Sequence, residues 1–401
     1  MIASSSRVST LLLAAVALAD CAAPRPAPTP ATPDRPSGSA AVLFWSQAQK
    51  ESGFARMETL FPTHVVKRGA QARPLPAGAP LQLDISIDGG SETVEQFMSE
   101  QRTAGLLVIQ DGQLRLERYA LGDGEQGRWT SFSVAKSITS TLVGAAIRDG
   151  AIQSVDDVIT RYITGLKGSA YEGVTIRQVL TMTSGVKWNE DYTDPDSDVS
   201  RLFGAAPEPG LDSTVSYMRK LPREAAPGSK WVYKTGETNL IGVLVSAATH
   251  RTLADYLSEK IWRPYGMEQD AAWMIDERGQ EAGGCCLSAS LRDFGRFGMF
   301  ILGGGLAGGK PVLPEGWIAS ATRKQAEIGE PGLGYGYQWW TQDDGTFNAL
   351  GIFGQAIHLD PKRKLVIVTS SAWPQATGRE PQAARAALFD AVARALDRSN
   401  P

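Results

Sequence analysis

Two groups of strand-like segments stand far apart in this chain, with a long helical stretch between them. Leu106 to Gln110 is a short apolar run containing β-branched residues. Asp111-Gly112 then marks a hairpin turn, because both residues tolerate positive φ. Leu114 and Leu116 alternate with polar residues, as the second strand of that hairpin requires. The next strand patterns come only near the end, at Tyr337 to Thr341, Ala349 to Leu359 and Leu365 to Ser370, with an Asp360-Pro361 turn between the last two. Between the groups, helical spacing dominates: Ser133 to Arg148, Thr175 to Thr183, Thr238 to Thr249, Leu253 to Trp262 and Leu287 to Leu302. This order predicts an α+β fold with one sheet completed from both ends, about residues 104–120 and 337–371. A helical region, about 137–323, is inserted between them. Ala40 to Ala79 reads as a helical or irregular prelude followed by loop, Thr93 to Arg102 as a helix, and Gln382 to Leu396 as an Ala-rich amphipathic helix.

The first 39 residues do not belong to that body. Arg7 precedes an apolar run, Leu11 to Ala19, that is too short to span a bilayer as a helix. Residues 1–21 therefore read as an export signal. Leu18-Ala19-Asp20-Cys21 resembles a bacterial lipoprotein box, with Asp20 where a small residue is usual. Cleavage after Ala19 and a membrane tether through lipidated Cys21 both remain open. Residues 22–39 are rich in Pro and Ala and read as an extended linker. Residues 40–401 form the folded body. The expected location is the periplasm or, lipid-anchored, the bacterial envelope.

Composition excludes two classes of function. Net charge is −3 from 40 basic and 43 acidic residues, with no long basic run, so no nucleic-acid partner is expected. Three cysteines and three histidines show no zinc-like spacing, so no metal site or cofactor is expected. Cys285 and Cys286 are neighbours, expected in a packed segment, with a vicinal disulfide as the alternative.

A serine hydroxyl becomes a useful nucleophile only with a base in reach. No G-x-S-x-G elbow occurs, which argues against a Ser-His-Asp enzyme. S-x-x-K occurs twice, as Ser133-Val134-Ala135-Lys136 and Ser184-Gly185-Val186-Lys187. On the first turn of a helix, residues i and i+3 share a face, so the amine meets the hydroxyl. Burial lowers a lysine pKa enough for the amine to accept a proton. Ser133 opens a long amphipathic helix, whereas Ser184 ends a short one and Gly185 breaks the geometry. Ser133 is the candidate nucleophile and Lys136 its base. The alternative makes Ser133 an N-cap and Lys136 a solvated charge.

Around these residues the chain resembles a known family. Phe132 with SVAKSITSTLVGAAIRDGAIQSVDDVITRYI, then VTIRQVLTMTSGV (Val174 to Val186), PGSKWVYKTGETNLIGVLV (Pro227 to Val245) and EAGGCCLSASLRDFGRFG (Glu281 to Gly298) resemble, in order, class C β-lactamases and their esterase relatives. NEDY (Asn189 to Tyr192) and GIFGQ (Gly351 to Gln355) bring it nearest the 6-aminohexanoate-dimer hydrolase branch. The resemblance, spanning roughly Ala104 to Ser371, implies a β-lactamase/transpeptidase-like fold, an antiparallel sheet flanked by terminal helices plus the helical domain. It also implies acyl transfer through Ser133, with Tyr233 relaying protons. That role asks for a tyrosine pKa below the usual ~10, which neighbouring Lys136 would supply. The backbone N–H groups of Ser133 and Gln355 are the implied oxyanion donors. Tyr192, Thr235, Phe353 and Gly354 are the substrate-contact candidates. Trp339 and Trp340 point to opposite faces of a strand, so at most one lines the cleft, and core packing is the expectation for both. Two departures stand out. Thr235 replaces the Asn often found two residues after the tyrosine. Lys234-Thr235-Gly236 is a decoy for a late-strand triplet whose place Ile352-Phe353-Gly354 takes without the basic residue.

The reading is a serine hydrolase acting on a small ester or amide without a cofactor. One rival is a peptidase on cell-wall D-amino-acid peptides, or a weak β-lactamase. It needs a basic residue in the site that GIFGQ does not supply. The other is a non-catalytic binding lipoprotein, which has no need of Ser133, Lys136 and Tyr233 together. Oligomeric state is not legible.

Overall fold

In the computed structural model, residues 38–87 and 89–399 are described. The leader, Cys21 and residues 22–37 of the Pro/Ala-rich stretch lie outside them. The two distant strand groups join in one seven-stranded antiparallel sheet. Its order is Leu333–Tyr335, Trp340–Gln342, Phe347–Gly351, Gln355–Asp360, Leu365–Ser371, Thr103–Gln110, Gln113–Tyr119. The junction between chain ends is the pairing of Leu365–Ser371 with Thr103–Gln110, in the register Leu365↔Gln110 to Ser370↔Gly105. Side chains alternate across the sheet. Leu106, Val108, Leu365 and Ile367 pack on one face with Leu388 and Val392 of the C-terminal helix Arg379–Ser399. Leu107, Ile109, Val366 and Val368 pack on the other, with Phe294 and Phe297 of the helix Leu291–Leu302. Each of these two strands is thus apolar on both faces, with one backbone partner next to it in sequence and the other more than 250 residues away.

The helix Val134–Arg148 is buried on every side from Val134 to Ala146 and crosses the helix Thr235–Thr249. Its first turn holds Lys136, so the depth of this helix decides the environment of the candidate base. Four expectations need correction here. Tyr337 to Thr341 is not one strand: the chain bends at Tyr337 and Gln338 (φ +64°), and strand resumes only at Trp340, leaving Trp339 outside it. The prelude contains a strand, Thr63–Val66, which joins Ala271–Met274, Leu287–Ala289 and Trp129–Thr130 in a second sheet. Segments this short draw their stability from cross-strand partners distant in sequence. Leu287 to Leu302 is therefore strand then helix, parted at Ser290, whose Oγ accepts the Asp293 N–H at 3.1 Å. Ala349 to Leu359 is not one strand. It breaks at Ile352–Gly354, where Phe353 (φ +60°) and Gly354 (φ +95°) turn the chain back on itself. Among the described residues, no helix is long and apolar enough to cross a membrane.

Candidate active site

The chain enters the site from the strand Trp129–Thr130, paired with Leu287–Ala289. It then turns through Phe132, whose φ of +42° is unusual for a bulky residue. Tertiary packing holds that conformation: the Phe132 ring sits 4.9 Å from Phe54 and 5.2 Å from Phe353. Ser133 occupies the N-cap position of Val134–Arg148, yet its side chain makes no capping bond. Instead the Lys136 amine lies 2.9 Å from its Oγ. The same amine reaches Thr235 Oγ1 at 3.0 Å and the Gly284 carbonyl at 2.8 Å. Burial pushes its pKa down to about 7, against the pull of the Glu190 carboxylate, which favours the ammonium. Near neutral pH a large share of Lys136 is thus free amine, able to accept the Ser133 proton.

Glu190 was not anticipated. Its carboxylate accepts the Thr235 backbone N–H at 2.9 Å, the Tyr192 hydroxyl at 2.8 Å, and short hydrogen bonds from Thr235 Oγ1 and the Trp188 indole N–H. Thr235 therefore accepts from Lys136 and donates to Glu190, which orients the amine. The NEDY segment was legible as part of the site through Tyr192. That its glutamate does the holding depends on Thr235, 45 positions away in sequence.

Tyr233 comes to the nucleophile as the resemblance implied, with its phenol hydrogen-bonded to Ser133. Its acidity is the reverse of expectation. Burial and the nearby Glu190 charge push the pKa up, outweighing the hydrogen bond to Ser133. Lys136 sits over the ring face, 5.1 Å from the centroid. Tyr233 is thus a neutral phenol, a proton donor and not a phenolate. It heads an aromatic shelf, stacked on Trp340 at 5.4 Å and backed by Trp231 and Tyr335. Trp340 is the partly exposed member of its pair, and Trp339 is core, 5.3 Å from Phe347.

The GIFGQ turn departs most from expectation. The Phe353 ring is buried among Phe54 and Phe132, and its N–H donates to the Ala376 carbonyl. Gly354 faces Trp373; a Cβ there would lie 2.6 Å from the indole. The Gln355 side chain turns inward and donates to the Ser371 carbonyl at 2.7 Å. Neither Phe353 nor Gly354 nor Gln355 lines the cavity at Ser133, whereas Ile352 does. A tight turn is the reason: reversing at Phe353 and Gly354 sends the Phe353 and Gln355 side chains behind the wall. Gly351 must stay bare, because a Cβ would come 2.6 Å from the Ser131 carbonyl and 3.1 Å from the Ser133 amide nitrogen.

The cavity has a volume of about 40 Å³, and Ser133, Thr235 and Tyr192 open onto it. Cys285 and Cys286 form part of its wall and are joined as a vicinal disulfide, the alternative that adjacency alone disfavoured. Lys234 is buried beside Glu237 at 3.8 Å and has no part in the cavity, as its decoy reading requires. Among the described residues, no group of His, Cys, Asp and Glu is arranged to hold a metal.

Fold and site together define a class: a serine hydrolase on the β-lactamase/transpeptidase fold. The family model described as Beta-lactamase matches residues 91–391. The 6-aminohexanoate-dimer hydrolase of Paenarthrobacter ureafaciens is 30% identical over 382 residues, covering 91% of this chain and 96% of that protein. A solved Bacillus anthracis structure provisionally named 6-aminohexanoate-dimer hydrolase matches with a TM-score of 0.78 at 25% identity, over 87% of this chain and 94% of that one. A class C β-lactamase structure matches in fold alone, with a TM-score of 0.57 at 14% identity, over 75% of this chain and 93% of that one. The chain belongs to the Beta-lactamase family.

Proposed function

We propose that this protein hydrolyses small esters or amides through an acyl-enzyme on Ser133. One observation carries the reading: a fully buried lysine amine, its pKa brought to about 7, 2.9 Å from a serine oxygen. Neutral Lys136 takes the Ser133 proton as Oγ attacks the substrate carbonyl. The oxyanion is held by the Ser133 N–H and, in place of Gln355, by the N–H of Ile352, the residue of that turn on the cavity wall. On collapse the carbonyl–leaving-group bond breaks. The Tyr233 phenol passes its proton to the departing oxygen or nitrogen and is refilled from the Lys136 ammonium. Water, deprotonated by the same amine, then attacks the acyl carbonyl; the acyl–Oγ bond breaks, the acid leaves, and the Lys136 ammonium returns its proton to Ser133 Oγ. Tyr192 and Thr235, both on the cavity wall, are the substrate contacts.

The relatives support the reaction class. One is named a 6-aminohexanoate-dimer hydrolase, and a fold neighbour, EstCE1, is described as a hydrolase with promiscuous acyltransferase activity. We place the enzyme in the bacterial envelope, exported by its leader and either cleaved after Ala19 or tethered at Cys21. Intact-mass analysis after treatment with a fluorophosphonate tests the nucleophile. A single adduct on the wild type, absent from Ser133→Ala, is the expected result. An unlabelled wild type that is also inert toward small esters would reject the proposal.

A further inference from the structure

The cavity at Ser133 has a wall that no motif points to. Val42 and Leu43, from the N-terminal 3₁₀ segment Gly38–Phe44, line it together with Met57, Met274 and the Cys285–Cys286 disulfide. Val42 is 4% exposed. The helix that follows this segment, Gln47–Gly53, is pinned to the far end of the chain. Gln47 Nε2 donates to the Ala372 carbonyl at 2.8 Å, and the buried Lys50 amine donates to the Trp373 carbonyl at 3.3 Å. The segment is thus built into the site wall.

Which part of a substrate this wall meets follows from the position of Tyr233. If Tyr233 delivers the proton to the leaving group, the leaving group lies on its side, against the aromatic shelf. Tyr233 does not line the cavity, nor do Trp231 or Trp340. With the leaving group on that shelf, the cavity beside Ser133 is the space left for the acyl group. Among the described residues, the side chains on its wall are apolar or neutral, the hydroxyls of Ser133, Thr235 and Tyr192 among them, and none is charged. An ammonium or carboxylate taken there would exchange its water for hydroxyls alone, because the Glu190 carboxylate behind Thr235 and Tyr192 already accepts four hydrogen bonds, and such a burial is costly. The volume of about 40 Å³ corresponds to roughly three water-sized positions.

We propose that the segment Gly38–Phe44 completes an acyl-binding pocket that takes a short, uncharged, apolar acyl group. This rests on the Ser133 hydrolase reading and narrows its substrate class to neutral short-chain acyl esters and amides.

The test is a series of p-nitrophenyl esters from acetyl to octanoyl, plus a matched pair: butanoyl and its near-isostere β-alanyl, whose terminal methyl is an ammonium. The expected kcat/KM is highest between acetyl and butanoyl and falls at least about tenfold by octanoyl. Butanoyl is expected to exceed β-alanyl by at least about tenfold, within the range a pocket contact discriminates. In Val42→Ala and Leu43→Ala the octanoyl-to-butanoyl ratio rises at least about fivefold, because the removed side chains make room for more methylenes. A flat chain-length profile, or β-alanyl equal to butanoyl in the wild type, would overturn the proposal without recourse to a variant. So would an unchanged ratio in both variants. If Ser133 remained unlabelled and no ester turned over, the hydrolase reading itself would fall. Ser133-dependent turnover with no selectivity would sink the pocket alone.

Discussion

Ser133-Val134-Ala135-Lys136 and Ser184-Gly185-Val186-Lys187 share a spacing and almost nothing else. At the first, the serine opens a 15-residue helix and the lysine, 1% exposed, bonds back to it. At the second, the helix Ile176–Leu180 has already ended and Gly185 takes φ +76°. Ser184 Oγ there donates to the buried Glu237 carboxylate and accepts the Val186 N–H at 3.1 Å, while Lys187 is exposed. An i, i+3 pair becomes a nucleophile and base only where a helix begins at i and the amine is taken out of water. The second copy shows the same letters serving as a structural hydrogen bond and a solvated charge.

The widest separation of the two copies comes from removing each lysine. Lys136→Met is expected to lower kcat/KM on a small ester by ~10²–10⁴, the scale of a lost general base. Lys187→Met should stay within about twofold. Steady-state kinetics on the pair decides it, and comparable losses would erase the distinction. Tyr233→Phe comes next, with an expected ~10²-fold fall that is steeper for amides than for activated esters, whose leaving groups need no proton. Equal losses on both substrate types would remove Tyr233 from leaving-group protonation.

A pH profile sharpens the account of Lys136. Only the free amine accepts the serine proton, so kcat/KM should climb with pH and level off above an apparent pKa of about 7. The Glu190 charge favours the ammonium, so Glu190→Gln should move this limb to lower pH as well as reduce the rate. A limb that stayed put would show that Glu190 positions Thr235 without tuning the amine. The smallest effect on activity belongs to Ser184→Ala. It leaves probe labelling of Ser133 intact but costs about 1–3 kcal/mol of stability, because the buried Glu237 carboxyl loses one of its two hydroxyl donors, keeping Tyr171. A lower denaturant midpoint at unchanged slope is the expected readout.

Much of this was legible beforehand because it is local. Asp111 (φ +50°) and Gly112 (φ +77°) form the expected hairpin turn. The strands on either side, the Val134–Arg148 helix and the proximity of Lys136 to Ser133 follow from periodicity and i, i+3 geometry. What escaped reading is non-local. The strand Thr63–Val66 carries no strong signal of its own and exists because it pairs with Ala271–Met274, more than 200 positions on. Glu190 joins the site through Thr235, and Gly284 through Lys136 across 148 positions. Phe353 and Gly354 were misplaced for a different reason. A turn inside an apolar run is indistinguishable from strand until its φ angles are known.

The sequence by itself determined the class of chemistry. A serine and a lysine three apart at a helix start specify two groups that can meet, since helix geometry converts spacing into proximity; Tyr233 was added to them by the family resemblance, not by spacing. Only the tertiary structure decided how those groups are tuned. Burial brings Lys136 to about 7 and keeps Tyr233 a phenol. The meeting of the N-terminal segment with Met57, Met274 and the Cys285–Cys286 disulfide closes an uncharged pocket beside Ser133. Desolvation and cavity shape are sums over neighbours drawn from the whole chain, and no short stretch of sequence contains them.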